Sequence, residues 1–164
     1  MKARFLKAFA WALLVLVPDQ ITKGIVQDAF TLWESREVIP GFFSLTLVHN
    51  MGAAFGFLNT SDIDWQTPFF VCATIVAVAF LLYLIKEEEG RGGLMLCGLG
   101  LILGGALGNL VDRLSHRYVI DFLDFHLGGW HWPAFNVADS GITLGAAAII
   151  LSYWLRRDHV SDVD

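Results

Sequence analysis

Charge is scarce in this chain. Of its 164 residues only 16% are Asp, Glu, Lys or Arg, while 55% are apolar. Soluble domains usually carry about a quarter charged residues and somewhat under half apolar ones. The imbalance rules out a disordered chain and argues strongly against a soluble one. A net charge of −5 leaves no basic footprint for nucleic acid. Cysteine is nearly missing too. Cys72 and Cys97 sit inside apolar runs, with no CxxC and no Cys/His metal spacing, so they read as small apolar fillers. Familiar catalytic signatures are lacking as well: there is no G-x-S-x-G elbow, HExxH, P-loop or GxGxxG. His49, His116, His126 and His131 follow no common ligand spacing. Neither a metal nor a cofactor is expected.

What the chain has in quantity is long apolar sequence. A bilayer core asks for ~20 mostly apolar residues per helix. Runs at about 5–26, 69–86, 92–111 and 138–155 qualify. Lys2, Arg4 and Lys7 precede the first in the manner of a secretory signal. However, no Ala-x-Ala site follows, and the stretch continues past Pro18 into Asp19, so a retained helix is expected. Seven of the eleven basic residues lie at the N-terminus, between the second and third runs (Lys86, Arg91), or at the C-terminus (Arg156, Arg157). Basic residues of short loops stay in the cytoplasm. Both termini are therefore placed there, with segments about 30–67 and 112–136 facing out. Trp33, Trp65, Trp130 and Trp132 fall in the outer segments, where rings suit a headgroup interface. Glu87, Glu88 and Glu89 read as a solvated inner loop. Alternation over 42–47 and the β-branched and aromatic run 119–125 read as strands. The predicted fold is an integral membrane, mainly α protein. It is a four-transmembrane-helix bundle with a small extracytoplasmic β-sheet, and residues 1–164 form a single membrane domain.

Charges at membrane depth are functional candidates. Here they gather at the outer helix ends. Asp19 and Lys23 share a helix face at i, i+4, either as an ion pair easing a helix end into the headgroups or as a lysine orienting a neighbouring acid. Gly100, Gly104 and Gly108 make a small-residue face that continues to Asp112, with Asn109 and Arg113 one step round. Asn136 reads as an N-cap with Asp139 three residues on, much like a capping box. Asp121 and Asp124 point to opposite faces of a strand, and one of them is a candidate to face Asp139. Asn50 follows a strand among small residues that permit close backbone approach. Two carboxylates at one site share a proton, so one can deprotonate water while the other polarises a peptide carbonyl.

The chain resembles the bacterial lipoprotein signal peptidases (signal peptidase II). The matching blocks run from Asp19-Gln20-Ile21-Thr22-Lys23 and Asn50-Met51-Gly52-Ala53-Ala54-Phe55 to Gly104 through Arg113, Val119-Ile120-Asp121-Phe122 and Phe135 through Ser140. The resemblance implies an endopeptidase that removes the signal peptide from diacylglyceryl-modified prolipoproteins, cutting just before the lipidated cysteine. It implies that Asp121, rather than Asp124, pairs with Asp139 as the catalytic dyad. Asn50 and Arg113 would hold substrate carbonyls, and Asp19, Lys23, Asn109, Asp112 and Asn136 would form the surrounding polar network. It also implies a substrate-cradling sheet, a short outer helical segment, and residence in the bacterial cytoplasmic (inner) membrane with the active site at the outer face. Lipidated prolipoproteins and membrane lipids are the expected partners of a monomer. The glycine face of the third helix is expected to leave room for a signal-peptide helix or an acyl chain. A small proton-coupled membrane transporter is the alternative, although acids clustered at one face and dissimilar halves speak against it.

Overall fold

A computed structural model of the chain describes residues 1–52, 65–88 and 92–161. Four helices are long and apolar enough to cross a membrane. They are α1 (Lys2–Ala29), α2 (Gln66–Glu87), α3 (Gly92–His116) and α4 (Val137–Ser161). Between them lie β1 (Ser35–Ile39), β2 (Phe43–Asn50), β3 (Val119–Leu127) and β4 (Trp130–His131). The strands form one antiparallel sheet in the order β1-β2-β3-β4. It closes the end of the bundle where α1 and α3 finish and α4 begins. Ile120, Phe122 and Leu47 bury their side chains there against Val26 of α1.

The apolar runs become helices because a bilayer leaves no water to satisfy backbone polar groups. Each helix outlasts its run. α1 continues through Pro18, whose ring removes one backbone donor. α3 continues to His116 and so carries Asp112 and Arg113 as helical residues, where the sequence placed them at the start of an outer segment. A helical hydrogen bond is satisfied within the helix whatever the side chain, so the helix does not stop where hydropathy does.

α3 is central and packs against all three other helices. A Cβ at Gly100 or Gly104 would strike the Ala8 or Ala12 carbonyl of α1, and one at Gly105 the Ala138 carbonyl of α4. The glycine face therefore leaves no room for a substrate helix or acyl chain, contrary to the sequence expectation. Its lack of side chains is what lets α1 approach so closely. A Gly104→Val variant is expected to lose ~1–3 kcal/mol of stability by forcing these helices apart. Its melting temperature in detergent micelles should drop, and an unchanged value would contradict the close packing.

Two strands escaped the sequence reading. β1 is exposed along its whole length, so no apolar alternation marks it. Its signal was the turn at Pro40-Gly41, where Gly41 takes φ +72°. β4 has only two residues and is set by the Gly128-Gly129 turn, both at positive φ, which joins Leu127 to its partner Trp130. Glu88 is a correction too, being buried rather than solvated. No helix beyond these four occurs among the described residues. The matching positions Ala53, Ala54 and Phe55, and Glu89 and Arg91 of the inner loop, lie outside them.

Candidate functional site

Asp121 and Asp139 reach one cavity from different elements. Asp121 lies on β3, with its backbone paired to Val48 of β2. Asp139 lies in the first turn of α4. The cavity has a volume of about 660 Å³. Asn50, Asn109 and Arg113 line it with the two acids, and Trp132, Phe135, Ile142 and Leu144 supply an apolar wall.

Asn136 joins the two acids. Its Nδ2 donates to Asp121 Oδ1 at 2.7 Å. Its Oδ1 accepts from the Asp139 backbone N–H at 2.9 Å, and its own backbone N–H donates to Asp139 Oδ2 at 3.2 Å. That reciprocal pair is the capping box foreseen at this helix start. The box satisfies orphan amides of α4, and it also fixes the rotamer of Asp139 and aims the spare amide of Asn136 at β3. Asn50 Nδ2 donates to the other oxygen of Asp121 at 2.9 Å, while Asn50 Oδ1 accepts from Gly52 N–H at 3.0 Å. Asn109 Nδ2 donates to Asp139 Oδ1 at 2.8 Å. Each carboxylate is thus held on both oxygens. Burial, and after it the charge of Asp139, push the Asp121 carboxyl up to about 7, with the Asn50 and Asn136 hydrogen bonds opposing them.

Beneath the acids lies a buried ionic cluster. Lys23 Nζ is 2.8 Å from Asp19 Oδ2, 2.8 Å from Asp112 Oδ2 and 3.0 Å from Asn109 Oδ1. Those contacts use all three ammonium donors. Gln20, unremarked in the sequence reading, donates to both Asp19 and Asp112 at 3.1 Å. Its clue was its place inside the Asp19–Lys23 block. Arg113 stands at the rim. It donates to the carbonyls of Gly52 at 3.2 Å and Asn109 at 3.4 Å, and lies over the Phe70 ring. Asp124 points away from the cavity, bonded to His131 Nδ1 at 2.9 Å and Thr46 Oγ1 at 3.3 Å. No cluster of His, Cys, Asp and Glu suited to a metal ion occurs among the described residues.

Residues 11–155 match the family model of signal peptidase (SPase) II. The chain belongs to that family. It is 52% identical over 146 residues to a lipoprotein signal peptidase of Maridesulfovibrio salexigens, covering 89% of this chain and 94% of that one. It is 48% identical over 157 residues to one of Oleidesulfovibrio alaskensis, covering 96% and 100%. Among solved structures, a bacterial membrane enzyme superposes with a TM-score of 0.81 at 34% identity, over 96% of this chain and 91% of that chain. A second bacterial membrane enzyme structure gives 0.77 at the same 34%, over 89% and 91%. The chain is accordingly a membrane aspartic peptidase of the signal peptidase II type, in place of the transporter alternative.

Proposed function

We propose that the protein cleaves diacylglyceryl-modified prolipoproteins just before the lipidated cysteine, with Asp121 and Asp139 as its catalytic pair. The observation that carries this reading is the convergence of two buried acids on one cavity, both gripped by Asn136. The ionised member of the pair takes a proton from a water that attacks the scissile carbonyl carbon. The protonated member donates to the carbonyl oxygen. Collapse of the tetrahedral adduct breaks the C–N bond, and a proton passes to the departing amine. The signal peptide gains a carboxyl end and the lipidated cysteine a free amine. Asn50 and Arg113 stand where they can orient the substrate backbone, since Arg113 already grips main-chain carbonyls. The apolar wall from Trp132 to Leu144 suits a substrate anchored in lipid.

The protein is read as a multi-pass monomer of the inner membrane, one domain over 1–164; the distribution of Lys and Arg supports cytoplasmic termini and a cavity at the outer face. Trp33, Trp65, Trp130 and Trp132 are exposed at the sheet end, as ring side chains at a headgroup layer should be. The test uses purified protein with one precursor in lipidated and unlipidated forms, followed by gel shift. Only the lipidated form should shorten. Failure to cut it, or equal cutting of both, would overturn the assignment of substrate.

A further inference from the structure

We infer that Lys23 is a positioning residue that sets the two acids relative to each other, acting through Asp19 and Asp112 on the backbone amides that precede them. The inference rests on the catalytic reading of Asp121 and Asp139. Asp112 Oδ2 accepts from the backbone N–H of Ile120 at 3.1 Å, and Ile120 is the residue before Asp121. Asp19 Oδ1 accepts from the backbone N–H of Ala138 at 2.8 Å, and Ala138 is the residue before Asp139. The two braces are alike in kind, although one holds a strand and the other a helix start. Lys23 joins them by its contacts to the second oxygen of Asp19 and the same Oδ2 of Asp112. Its third donor goes to Asn109, whose amide holds Asp139. Thus α1 and α3 together dictate where β3 and α4 present their acids.

None of Asp19, Lys23 and Asp112 lines the cavity, so none is placed to touch a substrate. All three are buried, Asp19 at 0% exposure and Lys23 and Asp112 at 1%. Burying three charges is a poor source of stability, because desolvation offsets the attraction and an apolar packing of the same volume does as well or better. What such a cluster supplies is direction. Short charge-assisted bonds in a low dielectric resist displacement, and the amides they hold sit one residue from each acid. Gln20 adds a second tie between the same two carboxylates.

The test measures kcat and KM on a lipidated precursor for Lys23→Met, Asp112→Leu and Asp112→Asn, each checked for folding by its melting temperature in micelles. An error of about 1 Å in placing a reacting group lowers rate about 100-fold. Lys23→Met and Asp112→Leu should lose that factor in kcat with KM nearly unchanged. Asp112→Asn, whose amide oxygen still accepts from Ile120, should keep a kcat at least about tenfold above the Leu variant. Equal losses in the Asn and Leu variants, a loss carried by KM, or a Lys23→Met enzyme with normal kcat would each overturn the brace. Should the Leu variant fail to fold, Asp112→Ser replaces it, being small enough for the packing and too short to reach Ile120. Asp121→Asn is run alongside. If it is inactive while Lys23→Met is normal, the brace alone falls; if it is active, the catalytic reading falls and takes the brace with it.

Discussion

Asp121→Asn and Asp139→Asn are each expected to abolish cleavage of a lipidated precursor, by about 10,000-fold, while the protein stays folded in the membrane. The reasoning is chemical. Asn has the shape of Asp and can still accept one of the hydrogen bonds from Asn50, Asn109 or Asn136. It can neither take a proton from water nor pass one to a carbonyl oxygen. Asp124→Asn makes the complementary control, since Asp124 faces away from the cavity toward His131 and Thr46. Its cleavage rate should match that of the unaltered protein. Turnover in either of the first two variants, or loss in the third alone, would show that the acids have been wrongly paired. The same pair sets the pH dependence. Burial and the neighbouring Asp139 raise Asp121 to about 7, so the pair retains a shared proton at neutral pH and surrenders it as pH rises above that value. In the proposed mechanism, activity needs one proton on the pair. The rate of precursor cleavage should therefore decline on the alkaline side of neutrality, and a rate still climbing there would contradict a shared-proton mechanism.

Asn136→Ala should have the next largest effect, lowering both activity and stability. Among the described residues, no other side chain hydrogen-bonds to both Asp121 and Asp139. Its removal strips Asp121 Oδ1 of its 2.7 Å donor and deletes the acceptor for the Asp139 backbone N–H. Losing a helix N-cap lowers stability by about 1 kcal/mol. Leaving buried partners unsatisfied adds about 1–3 kcal/mol. Misplacing both acids together should reduce kcat by more than about 100-fold, with a smaller change in KM. Cleavage kinetics and thermal unfolding in micelles check the two effects separately. A variant that melts early yet cleaves normally would assign Asn136 to the helix alone.

Much of this arrangement is legible in the amino-acid sequence alone. Hydropathy marks spans because a bilayer demands ~20 apolar residues whatever the fold, so the four helices are found from composition and length. The capping box at Asn136 and Asp139 was legible for the same reason: it is local, closing within four residues. The ion pair of Asp19 and Lys23 spans one helical turn and was equally readable. Local chemistry could not reveal that Asp19 also holds Ala138, far along the chain, or that Asp112 holds Ile120 across the turn into β3. Nor did β1 announce itself, because a strand exposed on both faces carries no alternating pattern.

By itself, then, the sequence determined that the protein lives in a membrane, crosses it four times and gathers Asp19, Lys23, Asp112 and Arg113 at one set of helix ends. These follow from solvent: lipid excludes charge and unpaired backbone wherever they occur in the chain. Only the tertiary structure decided which acid faces the cavity, since Asp121 and Asp124 differ merely in the face of β3 they occupy, and that depends on the register of β3 against β2. It also decided that the glycine face of α3 is filled by α1 rather than open to a ligand. A row of glycines specifies that something approaches closely; which surface arrives is settled by packing between segments that the sequence holds far apart.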